Sequence, residues 1–153
     1  MNEIIKRGSA YFLSLCIVTA IYVYILNIPE FISQAPALVT EYYYDRALES
    51  FVLDIFLVAA YITVAMYAGK LLNINQKDNV QQLIMLCLTT IAISGSFMLY
   101  FNSGGSPGTF FSRWFKQVGY KAIVYDMVLI CSVYMLMVVI YKSNIFERIM
   151  RSV

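Results

Sequence analysis

Residues 122–141, AIVYDMVLICSVYMLMVVIY, run for twenty positions with one charge, Asp126, and with neither glycine nor proline. A helix that crosses the ~30 Å hydrocarbon core of a bilayer needs about 20 predominantly apolar residues, and this stretch supplies them. Working outward from it, Ser50 to Leu72 and Val80 to Phe101 are runs of the same kind, and no charged residue occurs between Gly8 and Pro29. The chain is therefore expected to be an all-α integral membrane protein, a single transmembrane domain with four spans at about 10–28, 50–72, 80–101 and 120–141.

Composition supports the same reading. Of 153 residues, 61% are hydrophobic and 13% charged, whereas globular proteins carry roughly a quarter charged residues. A water-soluble domain of this length cannot hide so much apolar surface, so lipid must be the solvent for most of it. Lys6 and Arg7 ahead of the first run, with Ala35-Pro36-Ala37 after it, resemble a cleaved leader. The apolar stretch is longer than the ~7–15 residues of leader cores, so a retained span is expected.

Several functional classes drop out. A net charge of +2 from scattered basic residues does not make the stripe that nucleic-acid phosphates require. The chain has no histidine, which removes haem ligation, Ser/His and Cys/His nucleophile pairs and the common zinc sets. Cys16, Cys87 and Cys131 lie in apolar runs without CxxC spacing and read as small buried hydrophobes. No catalytic residue, metal ligand or cofactor is expected, and the chain does not read as an enzyme.

Four crossings put both ends on one side. Lys6, Arg7, Lys70, Lys77, Lys142, Arg148 and Arg151 fall on that side, against Arg46, Arg113, Lys116 and Lys121 on the other. Lysine and arginine favour the cytoplasmic face, so cytoplasmic N- and C-termini are expected.

Sliding the chain on itself by 72 positions brings Glu41-Tyr42-Tyr43 onto Arg113-Trp114-Phe115 and Val52-Leu53-Asp54 onto Val124-Tyr125-Asp126. The halves 10–72 and 80–141 then share a plan: a span, a loop with Pro36 or Pro107, a short amphipathic stretch, and a second span with an early aspartate. A duplicated helix hairpin is the reading, with repeats related by an axis along the membrane normal. In the amphipathic stretches, Tyr42, Tyr43, Phe110, Phe111, Trp114 and Phe115 are expected as interfacial anchors, aromatic face toward lipid. Further tyrosines near span ends, Tyr11, Tyr44, Tyr100, Tyr120 and Tyr141, read as headgroup anchors too. Gly104-Gly105-Ser106-Pro107-Gly108 is the strongest turn signal and ends the third span.

Asp54 and Asp126 are the candidate proton- or cation-binding residues. Only fifteen uncharged residues separate each from the next lysine, Lys70 or Lys142, so either the ~30 Å core thins locally or each span includes its aspartate near one boundary. An ionisable side chain there is a functional candidate by default, and two facing the bundle interior would form the carboxylate pair of a proton or cation pathway. The alternative is structural: an aspartate in the first turn of a helix meets free amides and the positive dipole end, pairs with Arg46 or Lys121, or reaches headgroup water. Ser14, Thr19, Thr63, Thr89, Thr90, Ser94, Ser96 and Ser132 inside the spans are explained by packing, as are the small pairs Ala65/Gly69 and Ala92/Ser96. Residues 143–153 read as an amphipathic cytoplasmic tail.

The stretch Trp114-Phe115-Lys116-Gln117-Val118-Gly119-Tyr120-Lys121-Ala122-Ile123-Val124-Tyr125-Asp126 resembles small multipass membrane proteins encoded by large double-stranded DNA viruses of algae and amoebae. The resemblance implies a virion or host membrane and brings no catalytic residues with it.

Two functions are consistent with the residues. The favoured one is a structural, membrane-organising or partner-binding bundle, because polar content inside the spans is thin. The other is a small proton or cation channel or transporter using Asp54 and Asp126. Expected partners are the lipid bilayer, further copies of the chain and other membrane proteins, and not nucleic acid.

Overall fold

The computed structural model describes residues 3–75 and 78–143. Helix α1 (Glu3–Thr19) continues through π-helical turns at Ala20–Ile25; α2 (Ile28–Ser33) and α3 (Pro36–Thr40) follow, and α3 runs into a second π-helical segment, Glu41–Asp45. The remaining helices are α4 (Ala47–Leu71), α5 (Asn79–Asn102), α6 (Phe110–Val118) and α7 (Tyr120–Lys142). Among the described residues no strand occurs.

Four helices are long and apolar enough to cross a membrane: Glu3–Ile25, Ala47–Leu71, Asn79–Asn102 and Tyr120–Lys142. Each exposes large apolar side chains outward, Phe12, Phe56, Leu88 and Met135 among them. Such an apolar exterior suits lipid and not water. The chain is an all-α, multipass membrane protein.

Local chemistry sets the helix limits. Asn27 takes a left-handed conformation (φ 49°), which asparagine tolerates, and ends the first span ahead of Pro29. Asp78 caps α5 by accepting from the amides of Val80 (2.9 Å) and Gln81 (3.3 Å). At the other end of α5 the expected turn forms, and a Cβ on Gly105 would meet the exposed Tyr100 ring, which would have to swing aside. Gly119 (φ 61°, ψ −135°) joins α6 to α7 through a conformation closed to other residues.

Helix α7 packs on both α1 and α5, and α5 packs also on α4. Leu15, Leu86 and Val133 are fully buried between them. Ala65 and Gly69 lie on a buried face as expected of a close helix contact, whereas Ala92 and Ser96 are exposed, so that second small pair does not pack inside this bundle. Helix α1 meets α4 through long side chains: Tyr11 Oη donates to the Ile55 carbonyl (2.6 Å), and Phe12 meets Phe51 edge-on.

Tyr141 Oη donates to Glu3 Oε1 (3.2 Å), and the Lys6 and Arg7 cations lie 5.1 and 5.4 Å from the Tyr141 ring centre. The start of α1 and the end of α7 therefore share one end of the bundle. At the opposite end α2 packs on α7, Glu41–Asp45 on α4, and α6 on α5 and α7. The expected tail, 143–153, lies outside the described residues but for Ser143.

Candidate functional site

Asp54 is the eighth residue of α4 and Asp126 the seventh of α7, about 10 and 9 Å along their helices. This removes the first-turn account of both aspartates, since the free amides of a helix start are confined to its first four residues. Nor do the expected cations reach them. Arg46 Nη2 pairs with Glu49 (2.6 Å), and Lys121 Nζ donates to Gln34 Oε1.

Both carboxylates instead line one cavity of about 160 Å³ beneath the amphipathic segments. Asp54 is 7% exposed, and Asp126 retains somewhat more surface. Tyr42 Oη donates to Asp54 Oδ1 (2.8 Å). On the other side, Ser94 Oγ donates to Asp126 Oδ2 (2.6 Å). With its single proton so used, Ser94 must accept from Tyr61 Oη (2.8 Å), which orders a relay Tyr61, Ser94, Asp126 across α4, α5 and α7. Tyr43 and Tyr125 hydroxyls bond each other, joining the Glu41–Asp45 segment to α7. No lining residue is basic.

The aromatic residues expected to face lipid are turned the other way. Tyr43, Trp114 and Phe115 are 7%, 7% and 4% exposed, and Tyr42, Phe110 and Phe111 are half-buried. The segments are helical and amphipathic as expected, but their aromatic sides roof the cavity. Tyr42, Phe110 and Trp114 stack in series, with ring centres 4.8 and 5.9 Å apart. Phe101 of α5 lies between Phe111 and Phe115, at 6.4 and 5.7 Å. The physical reason is competition: the same rings that would suit a headgroup layer gain more contact by stacking on one another over a recess between spans.

On the outside of this roof Arg113 makes a two-pronged ion pair with Glu41 (2.6 and 2.6 Å) and lies 5.9 Å from the Phe110 ring centre. The Arg113 guanidinium holds the Glu41 carboxyl below its usual range. The bridge ties the segment before α4 to α6, two positions that the 72-residue register superimposes.

A second cavity, about 180 Å³, opens between α1 and α4, and Asp54 and Tyr43 line it as well as the first. They form the partition between the two. Thr19, on this second cavity, has a buried hydroxyl without a hydrogen-bond partner, at the point where α1 passes into π-helical turns. Such turns recur at functional sites.

Sequence reasoning assigned Ser94 to packing and passed over Tyr61. Tyr61 carried a legible signal, since it follows Asp54 by seven residues, two helical turns on one face. Ser94 carried none, because its partner belongs to another helix. Cys16, Cys87 and Cys131 are half-buried free thiols, and the Cys87 and Cys131 sulfurs lie 3.5 Å apart. Among the described residues no group of three or more acidic or thiol side chains could hold a metal. No protein-family model, curated protein or solved structure matches the chain.

Proposed function

We propose that this chain is a small membrane transport unit that binds protons or cations at Asp54 and Asp126. The observation that carries the reading is that both intramembrane carboxylates open onto one cavity that no basic side chain lines. An anionic group in a span is costly unless a cation or proton accompanies it. The hydroxyls on Asp54 and Asp126 supply hydrogen bonds but no compensating charge.

Thin polar content inside the spans favoured a membrane-organising or partner-binding bundle, but the two aspartates gather at one cavity, with Ser94 bonded to Asp126 and Tyr61 in the lining, which reverses that ranking. The excess of basic residues on the terminal side supports cytoplasmic ends. Asp54 and Asp126 then sit in the half of the bilayer away from the cytoplasm. The likeness of 114–126 to viral multipass proteins supports a virion or host membrane.

Purified chain in liposomes, with an imposed pH or cation gradient, tests the reading. Flux in the wild type that falls in Asp54→Asn and Asp126→Asn is expected. Absence of carboxylate-dependent flux in both directions, with the protein folded and inserted, would return the organising role to first place.

A further inference from the structure

We infer that the aromatic cavity binds a small organic ammonium cation, of the size of tetramethylammonium. This deepens the preceding reading and rests on its claim that the two aspartates take a cation.

Three features select the class. The first is charge: two carboxylates face the cavity, and the nearby arginines are spent elsewhere, Arg113 on Glu41 and Arg46 on Glu49. The second is the character of the wall. Ten of the seventeen lining residues are aromatic and five aliphatic, whereas hard metal cations require six or more oxygen ligands at short range. The tyrosine hydroxyls that approach the carboxylates are already engaged in hydrogen bonds to Asp54, to Ser94 and to each other. A cation with an apolar skin is less costly to take from water than a bare metal ion and is attracted to aromatic rings, as in the cages that hold quaternary ammonium groups. The third is volume. A cavity of roughly 150 Å³ lined by apolar side chains accommodates a six-carbon ring, so about 160 Å³ accommodates a methylated ammonium.

The protein carries its own reporter, because its single tryptophan, Trp114, lines this cavity. The 153-residue chain in maltoside micelles, which bring no ammonium group, is titrated with tetramethylammonium at constant ionic strength while Trp114 emission is followed. Parallel titrations use potassium and 3,3-dimethyl-1-butanol, an uncharged molecule of similar bulk. Saturable change with tetramethylammonium alone is expected, weakened about tenfold or more in Asp54→Asn or Asp126→Asn. An equal response to potassium would overturn the inference in favour of an inorganic ion, and an equal response to the neutral alcohol would reduce the cavity to an apolar pocket. Both of these controls use the wild type and so do not depend on how a variant folds. Carboxylate-dependent proton flux without any ammonium response would refute this inference and leave the proposed function standing. Ammonium binding without flux would do the reverse, sustaining the ligand and removing transport.

Discussion

Replacing Ser94 with alanine breaks the polar connection between three spans at its middle. Ser94 is 0% exposed, donates to Asp126 and accepts from Tyr61. In a soluble protein the bond to the carboxylate would contribute about 1.5–3 kcal/mol and the neutral bond about 0.5–1.5. Within a membrane the unfolded helices also find partners, and interhelical bonds average ~0.6 kcal/mol with a maximum near 1.7. Serine and alanine differ by one oxygen, so the cavity left behind adds little. The membrane figures decide the estimate: two bonds lost should cost about 1–3 kcal/mol. Reversible unfolding in mixed micelles measures it, in a cycle of wild type, Ser94→Ala, Asp126→Ala and the double variant. A coupling of about 0.6 kcal/mol or more between the two sites is expected. If Ser94→Ala costs the same in both backgrounds to within ~0.3 kcal/mol, the sites are independent and the relay as described is wrong.

Leu15→Ala, at a site with no exposed surface, should cost about 2–3 kcal/mol in the same unfolding assay, while the lipid-facing Leu88→Ala changes stability by less than ~0.5. The Glu41 carboxyl is held low by Arg113, so the bridge contributes fully above the usual carboxylate range and is lost as acidification passes through the lowered value. Unfolding measured against pH should show that loss in the wild type and not in Glu41→Gln, and 1 M salt should shrink the difference. A mild chemical oxidant should link Cys87 to Cys131 within one chain, losing two hydrogens by mass and leaving Cys16 alkylatable; a Cys16 crosslink instead would contradict the placement of α5 against α7. Gly119→Ala should destabilise the junction by about 1–3 kcal/mol, because its backbone conformation excludes a side chain.

The spans were legible because the bilayer imposes a length and a polarity that a single sequence displays directly. The run around Asp126 and its counterparts gave four helices without any knowledge of their packing. Asp54 and Asp126 stood out for the same reason, as charges where charges are costly. What could not be read was direction. An amphipathic segment such as Phe110–Val118 states that it has an aromatic side, but whether that side meets lipid or a neighbouring helix depends on a recess formed by other elements. Ser94 and Tyr61 were hidden for a related reason, since a hydroxyl looks alike whether it bonds its own backbone, as Ser14 does to Ala10, or a distant carboxylate. The aspartates' depth in their helices also depended on where α4 and α7 begin, and the N-cap residues Arg46 and Gly119 make no side-chain cap to announce it.

The roof over the cavity is unequal in its chemistry. Hydroxyls come from the first half of the chain, in Tyr42 and Tyr43, and bare hydrocarbon rings and the indole come from the second, in Phe110, Phe111, Trp114 and Phe115. Two copies of the first half would seat phenols on both sides of the roof, and two copies of the second would roof it with hydrocarbon rings and the indole alone. The roof takes its hydroxyls from one half of the chain and its hydrocarbon cover from the other, so a symmetric assembly of either hairpin alone would lack one of the two.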